Sequence, residues 1–564
     1  MTRLRPLLVC FVMLASAALA QTDPIPFISQ LYPTSTYPGH AAFTMDISGA
    51  NFTSGVVVNW NGSPRATTYL SSDHLQAAIT AADVAHANTG NVTVVNPGSI
   101  ASKVAYFPVG PSSSAVAFAR YDMAVTYGGG GPVIGDFNND GELDVAVEGC
   151  TNPCNLGTLT YLGNGDGTFQ PPLMSNCQTP VLAGDLDGDG ILDLVSYVPD
   201  GFTTFCKGNG DGTFSQIPGS VGGFIPAALA DVNHDGKLDL IASLFSRSTG
   251  SLQVFLGNGD FTFTPSWNVG LGCQGGGGLA TVGDFNRDGK LDLAATSACI
   301  GQTYLTVYLG NGDGTFSEIN SNSCSSFELC AMGDIRASDL NNDGKLDLVT
   351  DGGIVYLGNG DGTFTGPTVE AINASGVQLA DLNNDNKPDI AATLPNGTAA
   401  AGIGVLLGDG DGIFQNPQIW DTGFNSAVPP GVGDFNNDGR LDTVSGRFSQ
   451  QVFTLEIFLQ TALNISPTFL NFGTVKVGTT SAPQTVTLTN IGNKNLYIGP
   501  IQVSGDTTNF KGTSNCGNLA AGLSCIITGT FTPSSQKTFS ASVQVNYIGT
   551  VGSPQVIEVT GTGD

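Results

Sequence analysis

Short apolar runs separated by turn residues fill the chain from about residue 115 to residue 460, and they return in a fixed order. In the first instance a polar stretch, Asp136-Phe137-Asn138-Asn139-Asp140-Gly141-Glu142-Leu143-Asp144, leads into Val145-Ala146-Val147. A second run, Leu159-Thr160-Tyr161-Leu162, then leads into Gly163-Asn164-Gly165-Asp166-Gly167-Thr168-Phe169. Runs this short are strand-sized, and Asn-Gly or Asp-Gly between them predicts a hairpin, because both residues accept positive φ. The turn recurs at 208–214, 257–263, 310–316, 358–364 and 408–414. With Gly, Thr, Asn and Val abundant and no run of helix formers, the pattern predicts an all-β chain.

The polar loop recurs seven times, beginning at Asp136, Asp185, Asp231, Asp284, Asp339, Asp381 and Asp434, at intervals of 42–55 residues. That period suits one four-stranded unit. Such a unit cannot bury a core alone, so seven of them predict a seven-bladed β-propeller over residues 115–460. The seventh unit ends after Phe453-Thr454-Leu455-Glu456-Ile457-Phe458-Leu459 without an Asn-Gly turn, while Val116 to Tyr121 precedes the first loop with no unit of its own. This N-terminal strand is expected to supply the missing fourth strand and close the ring, which removes exposed edges.

Alternating apolar and polar positions with turn clusters also mark residues 24–108 and 463–564, predicting Ig-like β-sandwich domains on either side of the propeller. Ile28, Pro33, Gly39, Ile47, Gly49, Phe52, Val58, Trp60, Asn61 and Gly62 resemble the immunoglobulin-like TIG (IPT) family, which implies a spacer or docking module. Phe472-Gly473, Val477-Gly478-Thr479, the run ending at Asn490, and Cys516 with Cys525 resemble the ASPM/SPD-2/Hydin-type and choice-of-anchor Ig-like families. That resemblance implies a sandwich for spacing or surface attachment.

Residues 1–20 join Arg3 and Arg5 to an apolar run and a small-residue end at Ala18-Leu19-Ala20, the pattern of a cleaved secretory signal peptide. The expected location is therefore secreted or cell envelope, with no transmembrane segment in the mature chain. Ten cysteines remain after Cys10 is removed, and in an exported chain they are most simply disulfides. Cys516 is expected to pair with Cys525. Among the eight between residues 150 and 330, the pairings Cys273–Cys299 and Cys324–Cys330 are expected, and Cys206 stands apart from the others in a third strand. The formal charge of −28 opposes nucleic acid and anionic membranes as partners.

Much of that charge lies in the loops, whose aspartates are 22 of the 47 acidic residues. Oxygen side chains at positions 1, 3, 5 and 9, with glycine at 6 for a sharp turn, suit a hard cation, and an all-oxygen flexible loop favours Ca2+ over magnesium or transition metals. The expected ligands are Asp136, Asn138, Asp140 and Asp144 in loop 1; Asp185, Asp187, Asp189 and Asp193 in loop 2; Asp231, Asn233, Asp235 and Asp239 in loop 3. Loops 4 and 5 supply Asp284, Asn286, Asp288 and Asp292, then Asp339, Asn341, Asp343 and Asp347. Loops 6 and 7 supply Asp381, Asn383, Asp385 and Asp389, then Asp434, Asn436, Asp438 and Asp442. Up to seven Ca2+ ions follow. Loop 6 departs most, with Asn386 for glycine and Pro388 for leucine, and loop 2, with four aspartates, is expected to bind tightest. Side-chain turns to backbone would explain one or two carboxylates per loop, but three at alternate positions repel one another without a cation.

The loops and the Leu-Gly-Asn-Gly-Asp-Gly-Thr-Phe turns resemble the FG-GAP and VCBS-like repeats, including the integrin α propeller, although the Phe-Gly and Gly-Ala-Pro signatures of integrins are missing. The resemblance implies calcium between the first and second strands of each blade. Only four histidines occur, and His234, the one in the propeller, reads as a solvated spacer at position 4 of loop 3. No His-Glu-x-x-His or Gly-x-Ser-x-Gly motif is present. The expected function is an exported calcium-binding, non-catalytic binding or adhesion protein, with an extracellular protein or glycan as partner; the alternative is a calcium-dependent polysaccharide lyase or hydrolase.

Overall fold

The computed structural model describes residues 23–564 apart from 111, 114–115, 126–129, 152–154, 199–200, 245–249, 272–276, 300–301, 325–333, 370–373, 395–400, 425–428, 450–451, 468, 491–494, 521 and 549–554. Every regular element among the described residues is a strand. Four consecutive strands pair in chain order in each of six sheets, over 133–175, 179–222, 225–270, 277–324, 335–369 and 375–424, here blades 1 to 6. Blade 7 has Gly431–Gly433, Asp442–Ser449 and Val452–Gln460, and its outer strand is Phe118–Val125 from ahead of blade 1. The pairing is antiparallel, with Arg120 opposite Phe458 and Val125 opposite Phe453. First strands touch those of the next blade all the way round, and Val133–Gly135 of blade 1 meets Gly431–Gly433 of blade 7.

The cores lie between blades, and the two-residue period of a strand explains why. In Asp144–Thr151, Val145 and Val147 pack into the cluster shared with blade 7, while Ala146 packs into the one shared with blade 2. Similar clusters join blades 2 and 3, 3 and 4, 4 and 5, 5 and 6, and 6 and 7. A second strand buried on both faces reads as a short continuous apolar run.

Two four-stranded sheets form the N-terminal sandwich, around a core that includes Met45, Ile47, Trp60, Leu75, Val92 and Phe107. Two more form the C-terminal sandwich around Leu488, Phe531, Phe539, Val545 and Ile557, with the strand Phe469–Val475 running parallel to Gln555–Gly563. Cys516 is bonded to Cys525, as expected. Cys206 is not left over: it is bonded to Cys177, with both sulfurs buried in the cluster between blades 1 and 2. The expected pairings of Cys273 with Cys299 and of Cys324 with Cys330 lie outside the described residues, as does the signal segment 1–20. Among the described residues no helix is long and apolar enough to cross a membrane.

Ring closure rests on the strand Phe118–Val125, whose Phe118 packs edge-on against Trp420 of blade 6 at 4.9 Å and near Phe458 at 6.4 Å. Phe118→Ala is expected to lower stability by about 3–5 kcal/mol, the usual cost of emptying an aromatic core site. Urea unfolding followed by tryptophan fluorescence measures it.

Candidate cation loops and the face they occupy

Each loop joins the first strand of a blade to the second, and its side chains are held by its own backbone. In loop 1 the amide of Asp140 donates to Asp136 Oδ1 at 3.1 Å and to Asn138 Oδ1 at 3.0 Å. The Gly141 amide donates to Asp136 Oδ2 at 2.8 Å, and that of Glu142 to Asp140 Oδ1 at 2.9 Å. Loops 3 to 7 repeat this set, bringing the oxygens at positions 1 and 3 onto the amide of position 5 in each. The curl requires left-handed backbone at position 6 and also at position 4. Asn139, Arg287, Asn342, Asn384 and Asn437 hold positive φ there, as do His234 and, in loop 2, Gly188. Asn386 takes φ 67 in place of glycine, and its amide reaches Asp381 Oδ2 at 2.9 Å as the glycines do, so loop 6 has the geometry of the others.

Position 9 is turned another way. Asp144 accepts from the Phe137 amide at 2.8 Å and from the Gly163 amide, at the end of the third strand, at 2.9 Å. The same pair of bonds occurs at Asp193, Asp239, Asp292, Asp347, Asp389 and Asp442. All seven carboxylates are fully buried. Burial is the leading cause that pushes Asp144 and Asp347 up to about 6, Asp193 and Asp292 to about 7 and Asp239 to about 8; neighbouring loop aspartates add to it and the two amides oppose it. Asp389 and Asp442 are raised well above the ordinary range for the same reason.

The donor set fits a hard cation. Each carboxylate oxygen has two lone pairs, so an oxygen with one amide bond keeps a second available; Oδ2 of Asp231, Asp381 and Asp434 already accepts two or more donors, which leaves Oδ1 of those residues for an ion. Burial raises the carboxyls most, and the repulsion that neighbouring aspartates add is what a divalent ion would relieve. In loop 2, Asp185, Asp187 and Asp193 each offer an oxygen within 4.8 Å of the others, and among the described residues this is the one group of three or more acidic, histidine or cysteine side chains that meets so closely.

The N-terminal sandwich lies on this same face. The Ile25 amide donates to Asp231 Oδ2 at 2.8 Å and Asn51 Nδ2 to the Asp231 carbonyl at 2.7 Å. Asn51 also donates its amide to the Gly289 carbonyl at 3.3 Å. Gln30 Oε1 accepts from the Asp339 amide at 2.7 Å. Thr34 and Ser35 hydroxyls both donate to Asp381 Oδ2 at 2.8 Å, and Thr89 donates to Asp434 Oδ2 at 2.5 Å. Loops 3 to 7 are thus each bonded to the sandwich, while Tyr106 packs beside blades 7 and 1 and Ile100 beside Leu186 of loop 2. Nothing in the sequence marks Thr34, Ser35, Asn51 or Thr89 as interface residues. His234 is half-buried, and burial lowers its pKa, so it is not the solvated spacer its loop position suggests.

Comparison with known families agrees with this architecture. The FG-GAP-like repeat family matches residues 185–242, 231–295, 297–350, 339–392 and 381–445. The IPT/TIG domain matches 26–109, and the HYDIN/CFA65/VesB-like Ig-like domain matches 461–562. The class is that of the FG-GAP-like repeat propellers. This chain is an FG-GAP-like repeat protein with an N-terminal IPT/TIG domain and a C-terminal HYDIN/CFA65/VesB-like Ig-like domain. Blade 1 lies ahead of the matched repeats, yet its loop at Asp136 has the same hydrogen bonds. No curated protein matches the chain. Among solved structures it is similar to BBS1N in complex with ARL6DN, at 10% identity over 62% of this chain and 94% of that one, TM-score 0.37. It is similar to an auxiliary nutrient binding protein from Bacteroides ovatus, at 10% identity over 77% and 98%, TM-score 0.32. The PapD-like domain 7 of human CEP192 matches at 15% identity over 18% and 85%, TM-score 0.16.

The raised position-9 carboxyls set a pH dependence. A carboxyl whose pKa is higher in the folded state binds more protons folded than unfolded between the two values, so its contribution falls as pH rises through that window. With divalent ions chelated, the melting temperature is expected to fall as pH rises from about 4 to about 8. A scanning calorimetry series in chelator checks this, and a flat or rising profile would count against it.

Proposed function

We propose that this is an exported calcium-binding, non-catalytic binding protein. Its propeller would present a recognition surface to an extracellular protein or glycan, with adhesion as the outcome. The observation that carries the reading is the docking of the N-terminal sandwich through Asp231, Asp339, Asp381 and Asp434. It supports a structural role for the Asp loops, with the opposite face, formed by the connections between second and third strands and between blades, as the surface for a ligand. The oxygen-only donors of the seven loops support calcium as the bound ion. Two described disulfides, Cys177–Cys206 and Cys516–Cys525, are compatible with an extracellular or envelope location.

Calcium bound only by the native state stabilises it, by about 1.4 kcal/mol per site at tenfold saturation and about 2.7 kcal/mol at a hundredfold. The mature chain is expected to melt at lower temperature in chelator and to recover with calcium, but far less with magnesium. Affinities of about 0.1–1 mM, usual for extracellular modules, are expected. An unchanged melting temperature on emptying the sites would sink the calcium part. For the binding part, a glycan array and an extracellular-protein panel are probed with the calcium-loaded chain. Binding without product formation is expected, and release of reducing or unsaturated ends would replace this reading with that of a lyase or hydrolase.

A further inference from the structure

Two departures from the repeat, in different blades, meet in space. At the end of the third strand most blades carry leucine before the turn glycine, as at Leu162, Leu256 and Leu309, but blade 2 has Lys207. Most turns carry a second glycine with positive φ that faces this leucine of the preceding blade. A Cβ on Gly212 would come within 2.6 Å of Leu162 and one on Gly314 within 2.7 Å of Leu256, with the same crowding at Gly167, Gly362 and Gly412. The turn that follows Lys207 round the ring has Phe261 at that position, with φ 64. A bulky side chain rarely adopts such a backbone. It is accommodated here because Lys207 does not fill the leucine's place: its ammonium turns to the loop, and the Phe261 ring lies 5.8 Å from Nζ.

Lys207 Nζ contacts Asp187 and lies 2.6 Å from Asp189 Oδ2, bridging positions 3 and 5 of loop 2. Lysines of other loops make single contacts, Lys345 with Asp343 at 3.1 Å and Lys290 with Asp288 at 3.9 Å. Resting on the reading of the other loops as calcium sites, we infer that in loop 2 the Lys207 ammonium, backed by Phe261, stands where those loops hold the cation, so that this loop with the most aspartates takes no calcium. Lys207 is thereby the residue that decides which loops load.

Bound calcium per chain is counted by elemental analysis after equilibrium dialysis of the full mature protein. The Lys207→Leu, Phe261→Gly double variant restores the repeat and is expected to hold one more ion than the wild type; equal counts in two proteins with the same circular dichroism overturn the inference. Asp189→Ala changes a half-exposed side chain and needs no repacking. Its count is expected to equal that of the wild type, and a loss of one ion overturns the inference even if the double variant does not fold. A wild type without calcium overturns the calcium reading of the loops. Should the double variant also hold none, the inference falls with it, whereas one ion gained there would leave the inference standing alone.

Discussion

The carboxylate at the start of each second strand holds its blade to itself. It accepts one amide from the second residue of its own loop and one from the end of the third strand, so the connection between strands one and two is bonded to the hairpin between strands three and four. In blade 1 these are Phe137 and Gly163 on Asp144, both under 3 Å. The glycine follows from the same contact, since a Cβ on Gly163 would meet the Leu143 carbonyl at 2.3 Å. Neighbouring blades are bonded through the same loop residue: the Gly212 amide of blade 2 donates to the Phe137 carbonyl at 3.2 Å, and Phe214 packs edge-on against Phe137 at 5.4 Å. The Asp loop and the Asn-Gly turn are thus parts of one structure, which accounts for their recurring together.

That arrangement concentrates negative charge where water is scarce. Amide donors offset some of it, and the raised pKa values of Asp239 and Asp292 show that they do not offset all. The N-terminal sandwich adds further donors at position 1. Asp381 Oδ2 takes three, from Thr34, Ser35 and Asn386. A module that reads as a spacer therefore serves as a cap on the loop face, donating to the carboxylate oxygens that it covers.

Much of this was legible in the sequence because it repeats. Seven copies of one loop define register, strand period and the face on which the loops lie, and the missing turn after Leu459 pointed to Val116 to Tyr121 as the closing strand, which runs from Phe118 to Val125 in the structure. Contacts made once were not legible. The bond from Thr89 to Asp434 joins residues 345 apart, and no local pattern announces it. The left-handed backbone at position 4 has a sequence signal of its own, since asparagine or glycine, which both tolerate it, occupies the position in five loops. The bond between Cys206 and Cys177 was not legible either, because Cys177 lies in the connection entering the same blade, and the chain order of strands does not reveal how that connection is seated.

Lys207 and Phe261 show where repeat logic misleads. Judged by carboxylate count, loop 2 is the strongest candidate for an ion. Yet a repeat position is defined by what its neighbours leave open, and here the neighbouring strand delivers a positive charge of its own. Replacing leucine by lysine empties apolar space between blades 2 and 3, and replacing glycine by phenylalanine refills it, so neither change is easily tolerated without the other. Isolated departures from a repeat are commonly surface drift. Two that meet across an interface, one supplying charge to the loop and the other supplying volume in the leucine's place, mark a site that has been altered as a unit.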